Sequence, residues 1–184
     1  MIILGIDPGL TRLGFGVIRS EGARGVGFEA VGIFNSKPED SVDVRIGSLA
    51  QRIELLIDTH KPDKIAIERV FAQSNLRSVM GVAQISGVVM ALAFERNIPI
   101  AFHTPSEVKL AVTGSGRAEK AQVGFMVAKI LKLSEVPKPA DAADALAIAI
   151  CSAWNLENIP TGNPQTAAQK TWLSAVAKSK QSKG

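Results

Sequence analysis

The sequence predicts an α/β fold in which a mixed five-stranded sheet is flanked by helices. Three observations predict it. Three apolar, β-rich runs follow one another at the N-terminus. The apolar period then lengthens to steps of three and four. Beyond that point, two further short β-rich runs alternate with helical segments.

Each element has its own signal. "MIILGID" is an apolar run stopped by Asp-Pro-Gly, as a buried strand ending in a turn would be. "LGFGVIRS" and "GVGFEAVGIF" follow after short gaps and are rich in Val, Ile, Phe and Gly, which predicts consecutive antiparallel hairpins. Val42, Ile46, Leu49, Ile53 and Leu56 mark an amphipathic helix after the cap signals Asp40 and Ser41, and "HKPD" breaks it. "KIAIE" is a short strand ending in Glu68. A helix is predicted from about Gln73 to Arg96; its Gly81, Ala83, Ser86, Gly87 and Ala91 let another element approach closely, either the chain's own sheet or a partner subunit. "IPIAF" is the fifth strand, and Thr104-Pro105 opens a helix with proline in its first turn. "TGSGR" is a loop, "AEKAQVGFMVAKILKL" a helix, and "EVPKP" a break before the apolar helix of "KPADAADALAIAI". From about Asn158 the chain turns to Pro, Gly, Gln, Ser and Lys. One domain is therefore expected over residues 1–157 and a flexible basic tail over 158–184, where Trp172 and Leu173 are the residues able to dock.

Composition narrows the class. A chain of 184 residues, 46% hydrophobic and 21% charged, is long enough to bury a sizeable core. The single cysteine, Cys151, rules out an intrachain disulfide framework and suits a reducing cytoplasm. It lies in an apolar helix, where an inert buried thiol is expected rather than a nucleophile. His60 and His103 make no metal-ligand spacing with it. No signal peptide precedes the first strand, and the longest uncharged apolar stretch, Ile85 to Phe94, is too short to span a bilayer, so no membrane partner is expected. The net charge of +4 permits an anionic partner without requiring one.

The acids carry the chemistry. Asp7 and Glu68 each end a strand, and in open α/β sheets ligands gather beyond the carboxyl ends of strands. If those strands are parallel neighbours joined through the helix at 42–60, both acids emerge at one edge. Asp141 and Asp144 stand three apart at the start of the last helix. Two readings of that pair are open: acids favour a helix N-terminus, and residues three apart share a face from which both carboxylates reach one cation. Laid across the sheet edge, that helix start would make four acids converge. Four such carboxylates do not all ionise cheaply without cations, and their hard oxygens suit Mg²⁺ or Mn²⁺. Taken singly, Asp7 also reads as a turn aspartate before Pro-Gly and Glu68 as an exposed strand end. "GIDPGLTRLGFGV" also resembles the phosphate-binding turn of actin-like kinases and ATPases, although 184 residues leave little room for the second phosphate loop and second domain such proteins use.

"GIDPGLTRLGFGV", "IAIERVFAQSN", "TPSEVKLAVTGSGRAEKAQV" and "ADAADALAIAI", in this order and spacing, resemble the RuvC family of bacterial Holliday junction resolvases over about residues 1–155. The resemblance implies an RNase H-like fold and a homodimer. It implies a divalent-metal enzyme that makes paired, symmetric nicks in four-way junction DNA and leaves ligatable 5′-phosphate and 3′-hydroxyl ends. By position it makes Asp7, Glu68, Asp141 and Asp144 the catalytic and metal-binding acids, with Lys109 and Lys120 as active-site lysines. It also favours RuvA and RuvB as partners. The rival from another class is a noncatalytic junction-binding protein on the same scaffold, which the loss of an acid would have suggested; none is lost.

Contacts to DNA are expected around these motifs. Phe71, an aromatic in the polar stretch after Glu68, either stacks on an unpaired base at the junction centre or staples the next helix to the core. Arg69, Asn75 and Arg77 are nearby candidates for phosphate or base contacts. Lys120 stands in the first turn of a helix after "GSGRAE", where loop N–H groups and the helix dipole already favour an anion; a solvated lysine is the bland alternative. Lys178, Lys180 and Lys183 in the tail read as nonspecific basic residues.

Overall fold

The computed structural model describes residues 1–22, 24–69 and 76–154, with backbone alone at 76–78. Its five strands are β1 (Ile2–Asp7), β2 (Arg12–Ser20), β3 (Val26–Asn35), β4 (Lys64–Glu68) and β5 (Ile100–His103). They form one sheet in the order β3-β2-β1-β4-β5. The first three are consecutive antiparallel neighbours, while β4 and β5 join in parallel. The predicted hairpins and the parallel pairing of the Asp7 and Glu68 strands are thus both present.

Strand alternation separates two cores. Leu4, Ile6, Leu13, Val17, Ile65 and Ile67 point to one side, where they meet α1 (Val42–His60) and α2 (Leu76–Glu95) through Leu49, Ile53, Ile85 and Val89. Ile3, Ile18 and Ala66 point to the other side, covered by α3 (Pro105–Thr113), α4 (Lys120–Ile130) and α5 (Ala140–Trp154). Several termini are trimmed relative to the sequence pattern. β5 starts at Ile100, and α4 closes at Ile130, because Leu131 is its C-cap and Lys132 has a positive φ of 55°. Ser41 sits at the N-cap of α1 as predicted, but its side chain makes no cap hydrogen bond.

α5 can lie close on the sheet because of three glycines. Gly5 and Gly16 face each other across β1 and β2, and Gly14 faces Asp7. A Cβ on Gly5 would stand 2.2 Å from the Ala145 carbonyl oxygen, and one on Gly14 only 2.1 Å from that of Asp141. At Gly16 it would meet Leu146 at 2.8 Å. Gly5, Gly14 and Gly16 therefore form the bed for α5, and the first turn of that helix rests beside the end of β1.

Candidate active site

Two acids come from the sheet. Asp7 and Glu68 each follow the last register pair of β1 and β4, Ile6 opposite Ile67, so the parallel strands deliver both to one edge. Two come from the helix laid over it. Asp141 and Asp144 lie one turn apart at the start of α5, on the face set down beside Gly14. Asp7, Asp141 and Asp144 each offer a carboxylate oxygen within 4.8 Å of the other two. Glu68 stands outside that trio but is coupled to it by charge, raising the pKa of Asp7 and being raised by Asp144.

The electrostatics follow from crowding. Burial is the largest cause lifting the Asp7 carboxyl, and the charges of Glu68, Asp144 and Asp141 add to it; Lys120 opposes them, and the group is pushed up to about 7. Burial and Asp144 also raise Glu68, against the opposing charges of Lys120 and Lys109. A site that holds a carboxylic acid half-neutral near pH 7 is short of positive charge. Oxygen ligands in this number and spacing fit a hard divalent cation.

Among the described residues, two cations touch the acids. Lys120 Nζ lies 3.0 Å from Asp144 Oδ2, and that bond is the largest cause raising the lysine's own pKa. The position of Lys120 follows from the start of α4, where the Glu119 backbone N–H donates to Gln122 Oε1 at 2.9 Å. Arg12 Nη1 lies 3.0 Å from Asp141 Oδ2. Among the described residues, neither Asp141 nor Asp144 accepts a backbone N–H of its own helix, so the capping reading of the pair has no hydrogen bond behind it. Lys109 is on α3, which a capping box holds in place: the Glu107 N–H donates to Thr104 Oγ1 at 3.2 Å, and the Thr104 N–H to Glu107 at 2.7 Å.

Other predicted residues fall elsewhere. Arg69 is exposed just past β4, where its N–H donates to the His103 carbonyl at 2.7 Å. His103 itself, the register partner of Glu68, is buried; burial lowers its pKa, and its Nε2 has no hydrogen-bond partner among the described residues. Phe71, Asn75, the Arg77 side chain and the tail from 155 onward lie outside the described residues. Arg12 is the contact that sequence reasoning missed. The signal was available, since strand alternation puts residue 12 on the same face as Gly14 and Gly16.

The sequence matches the family described as "Crossover junction endodeoxyribonuclease RuvC" over residues 3–152. The chain belongs to the RuvC family. A RuvC of Paenarthrobacter aurescens is 52% identical over 182 residues, covering 97% of this chain and 96% of the relative. One of Renibacterium salmoninarum is 50% identical over 182 residues, covering 98% and 94%. In three dimensions, T. thermophilus RuvC in complex with Holliday junction substrate matches with a TM-score of 0.79 at 34% identity, over 84% of this chain and 93% of that one. The RNase H-like expectation for the sheet and helices holds. The chain is a crossover junction endodeoxyribonuclease, an enzyme that resolves four-way DNA junctions. This displaces both the actin-like phosphate-binding reading and the noncatalytic one.

Proposed function

We propose that Asp7, Glu68, Asp141 and Asp144 hold two divalent cations, Mg²⁺ with Mn²⁺ able to substitute, and that the chain uses them to hydrolyse one phosphodiester in each of two strands of a four-way junction. The observation that carries this is the approach of the Asp7, Asp141 and Asp144 oxygens to within 4.8 Å of one another at the edge where Glu68 also ends. Divalent ions held by these acids would supply Lewis acidity to the attacking and leaving oxygens of such a bond. Asp7 is coupled by charge to Glu68 as well as to Asp144 and Asp141, which would suit it to ligate both ions. Burial and the neighbouring carboxylates raise the Asp7 carboxyl to about 7, and a bound cation would favour its ionised form. Lys120 and Lys109 steady the phosphate, water is the nucleophile, and no covalent enzyme intermediate forms.

Nuclease and substrate are matched in symmetry. A four-way junction presents two equivalent strands, so two sites related by a two-fold axis are required, and a homodimer supplies them. Phe71 stacks on a base at the junction centre, and Arg69, Asn75 and Arg77 contact the arms. RuvA and RuvB are the expected branch-migration partners. The work is cytoplasmic, in keeping with a lone buried thiol, and residues 158–184 act as a basic appendage to the nuclease domain of 1–157.

The test is direct. A synthetic four-way junction is incubated with the protein and Mg²⁺, Mn²⁺ or chelator, and the nicks are mapped on all four strands. Paired nicks with 5′-phosphate ends in either metal, and none in chelator, are expected. Cleavage that survives chelation would overturn the assignment of the acids.

A further inference from the structure

Arg12 is the first residue of β2, two before Gly14, and its guanidinium meets the carboxylate of Asp141 at 3.0 Å. The side chain is 51% exposed, so the ion pair lies on the rim of the acid cluster and not on its floor. Behind it, Gly9 to Arg12 line an open cleft of about 800 Å³ together with Arg45, Met80 and Gln84. Arg45 is held there by Thr11 and Ser36, at 2.7 and 2.9 Å, so the cleft already carries a fixed positive charge and has room for a second.

We infer that Arg12 competes with a divalent cation for Asp141 and, once displaced, passes to a backbone phosphate of the junction, so that metal loading releases one DNA contact. This rests on the reading of the carboxylates as the metal site of a junction nuclease. An arginine stays charged throughout the working pH range, so it leaves Asp141 by displacement and not by deprotonation. Displacement costs little, because an exposed ion pair contributes only about 0–1 kcal/mol. A divalent ion bound among several carboxylates outweighs it. The freed guanidinium has the planar fork that matches a phosphate, and it stands beside the bond to be cut. Lys120 makes a comparable contact with Asp144, but the family resemblance already gives it a phosphate to hold; Arg12 has no such role assigned.

The experiment uses the full chain in two arms. In the first, Mn²⁺ is titrated calorimetrically into DNA-free wild type, Arg12→Ala and Arg12→Lys. The alanine variant should bind the ion about 2–5-fold more tightly, because a competitor of at most about 1 kcal/mol is gone. In the second, binding of a four-way junction is measured in Ca²⁺ and in EDTA over a range of salt. Arg12→Ala should lose about 3–10-fold in affinity in Ca²⁺, with a salt slope shallower by about one phosphate, and stay within about two-fold of wild type in EDTA. Arg12→Lys should fall between the two proteins in both arms. Weaker Mn²⁺ binding by Arg12→Ala would make Arg12 a support for Asp141 and overturn the proposal. Equal loss of junction binding in Ca²⁺ and EDTA would make it an ordinary phosphate contact and overturn it too, as would no change in either arm. Failure of the wild type to bind junction under any condition would instead strike the nuclease reading itself.

Discussion

At the scale of single residues, the site is a problem in charge. Asp7 is the most crowded acid, so Asp7→Asn should abolish nicking while junction binding persists or tightens: the side chain is nearly isosteric, a metal ligand is lost, and one charge that repels phosphate is removed. Gel-shift and nicking assays on the same junction check this, and wild-type cleavage by the variant would remove Asp7 from the mechanism. The same group sets a pH dependence in metal-free protein. Its folded pKa of about 7 lies above its unfolded value near 4, so between those values the folded state holds more protons and stability falls as pH rises. Thermal melts in EDTA should therefore drop from pH 5 to pH 8. Asp7→Asn should flatten that slope, with a gain on the order of a few kcal/mol at the alkaline end. Phe71→Ala should weaken nicking more than binding, since stacking stabilises an opened junction centre by ~1–3 kcal/mol while phosphate contacts keep the complex together. A junction with unpaired bases at its centre should recover part of the rate. A melting temperature lower by several degrees without that rescue would return Phe71 to core packing.

At the scale of elements, precision comes from how closely α5 approaches the sheet. A methyl group on Gly14 cannot rotate away from the Asp141 carbonyl 2.1 Å distant, so the helix start must lift and carry both helix acids with it. Overpacking of this kind costs about 1–3 kcal/mol or more. A shift of about 1 Å at the reacting groups costs on the order of 100-fold in rate. Gly14→Ala should thus lose both stability and nicking. Gly47→Ala, on α1 with nothing within 4 Å of its Cβ, should gain roughly 0.5–1 kcal/mol and cut normally. Melting curves and junction cleavage on the two variants separate the cases. These elements also show how far the sequence could be read. Asp7, Glu68 and the Asp141–Asp144 pair stood at strand ends and a helix start, positions that periodicity reveals. That Asp7, Asp141 and Asp144 close to 4.8 Å while Glu68 stays outside the trio depends on how α5 crosses the sheet, which no local pattern encodes. The glycines were visible as composition, but their purpose appears only once a helix lies on them. Arg12 was legible only through the alternation of β2.

At the scale of the whole molecule, the described residues leave one face of α2 uncovered. Met80, Ala83, Met90, Ala91 and Phe94 are exposed there, and a Cβ on Gly87 would meet nothing within 4 Å. At 100° per residue these six positions fall within a third of a turn, opposite the buried Gly81, Ile85 and Val89. The small residues of this helix differ in what they meet: a Cβ on Gly81 would stand 3.0 Å from Leu10 of the same chain, and one on Gly87 would meet nothing within 4 Å among the described residues. The C-terminal end of α2 is fixed to α1 by Arg96, which meets Glu54 and Asp58 at 2.8 Å each, so the stripe is presented by a braced helix. A second copy related by a two-fold axis would bury the stripe against itself and set two acid clusters for two strands. Phe94, 84% exposed, is the sharpest probe. Burying such a ring contributes about 1.5–3 kcal/mol, and a two-fold interface counts it twice. Phe94→Asp should therefore raise the dimer dissociation constant about 10²–10⁴-fold, while the monomer keeps its melting temperature because the side chain supports no core. Sedimentation across a concentration series reads the first effect. A plasmid carrying an extruded four-way junction reads its consequence: wild type should give linear product from paired nicks, and Phe94→Asp should accumulate nicked circles. A Phe94→Asp protein that sediments as a dimer and still linearises the plasmid would place the interface on another face.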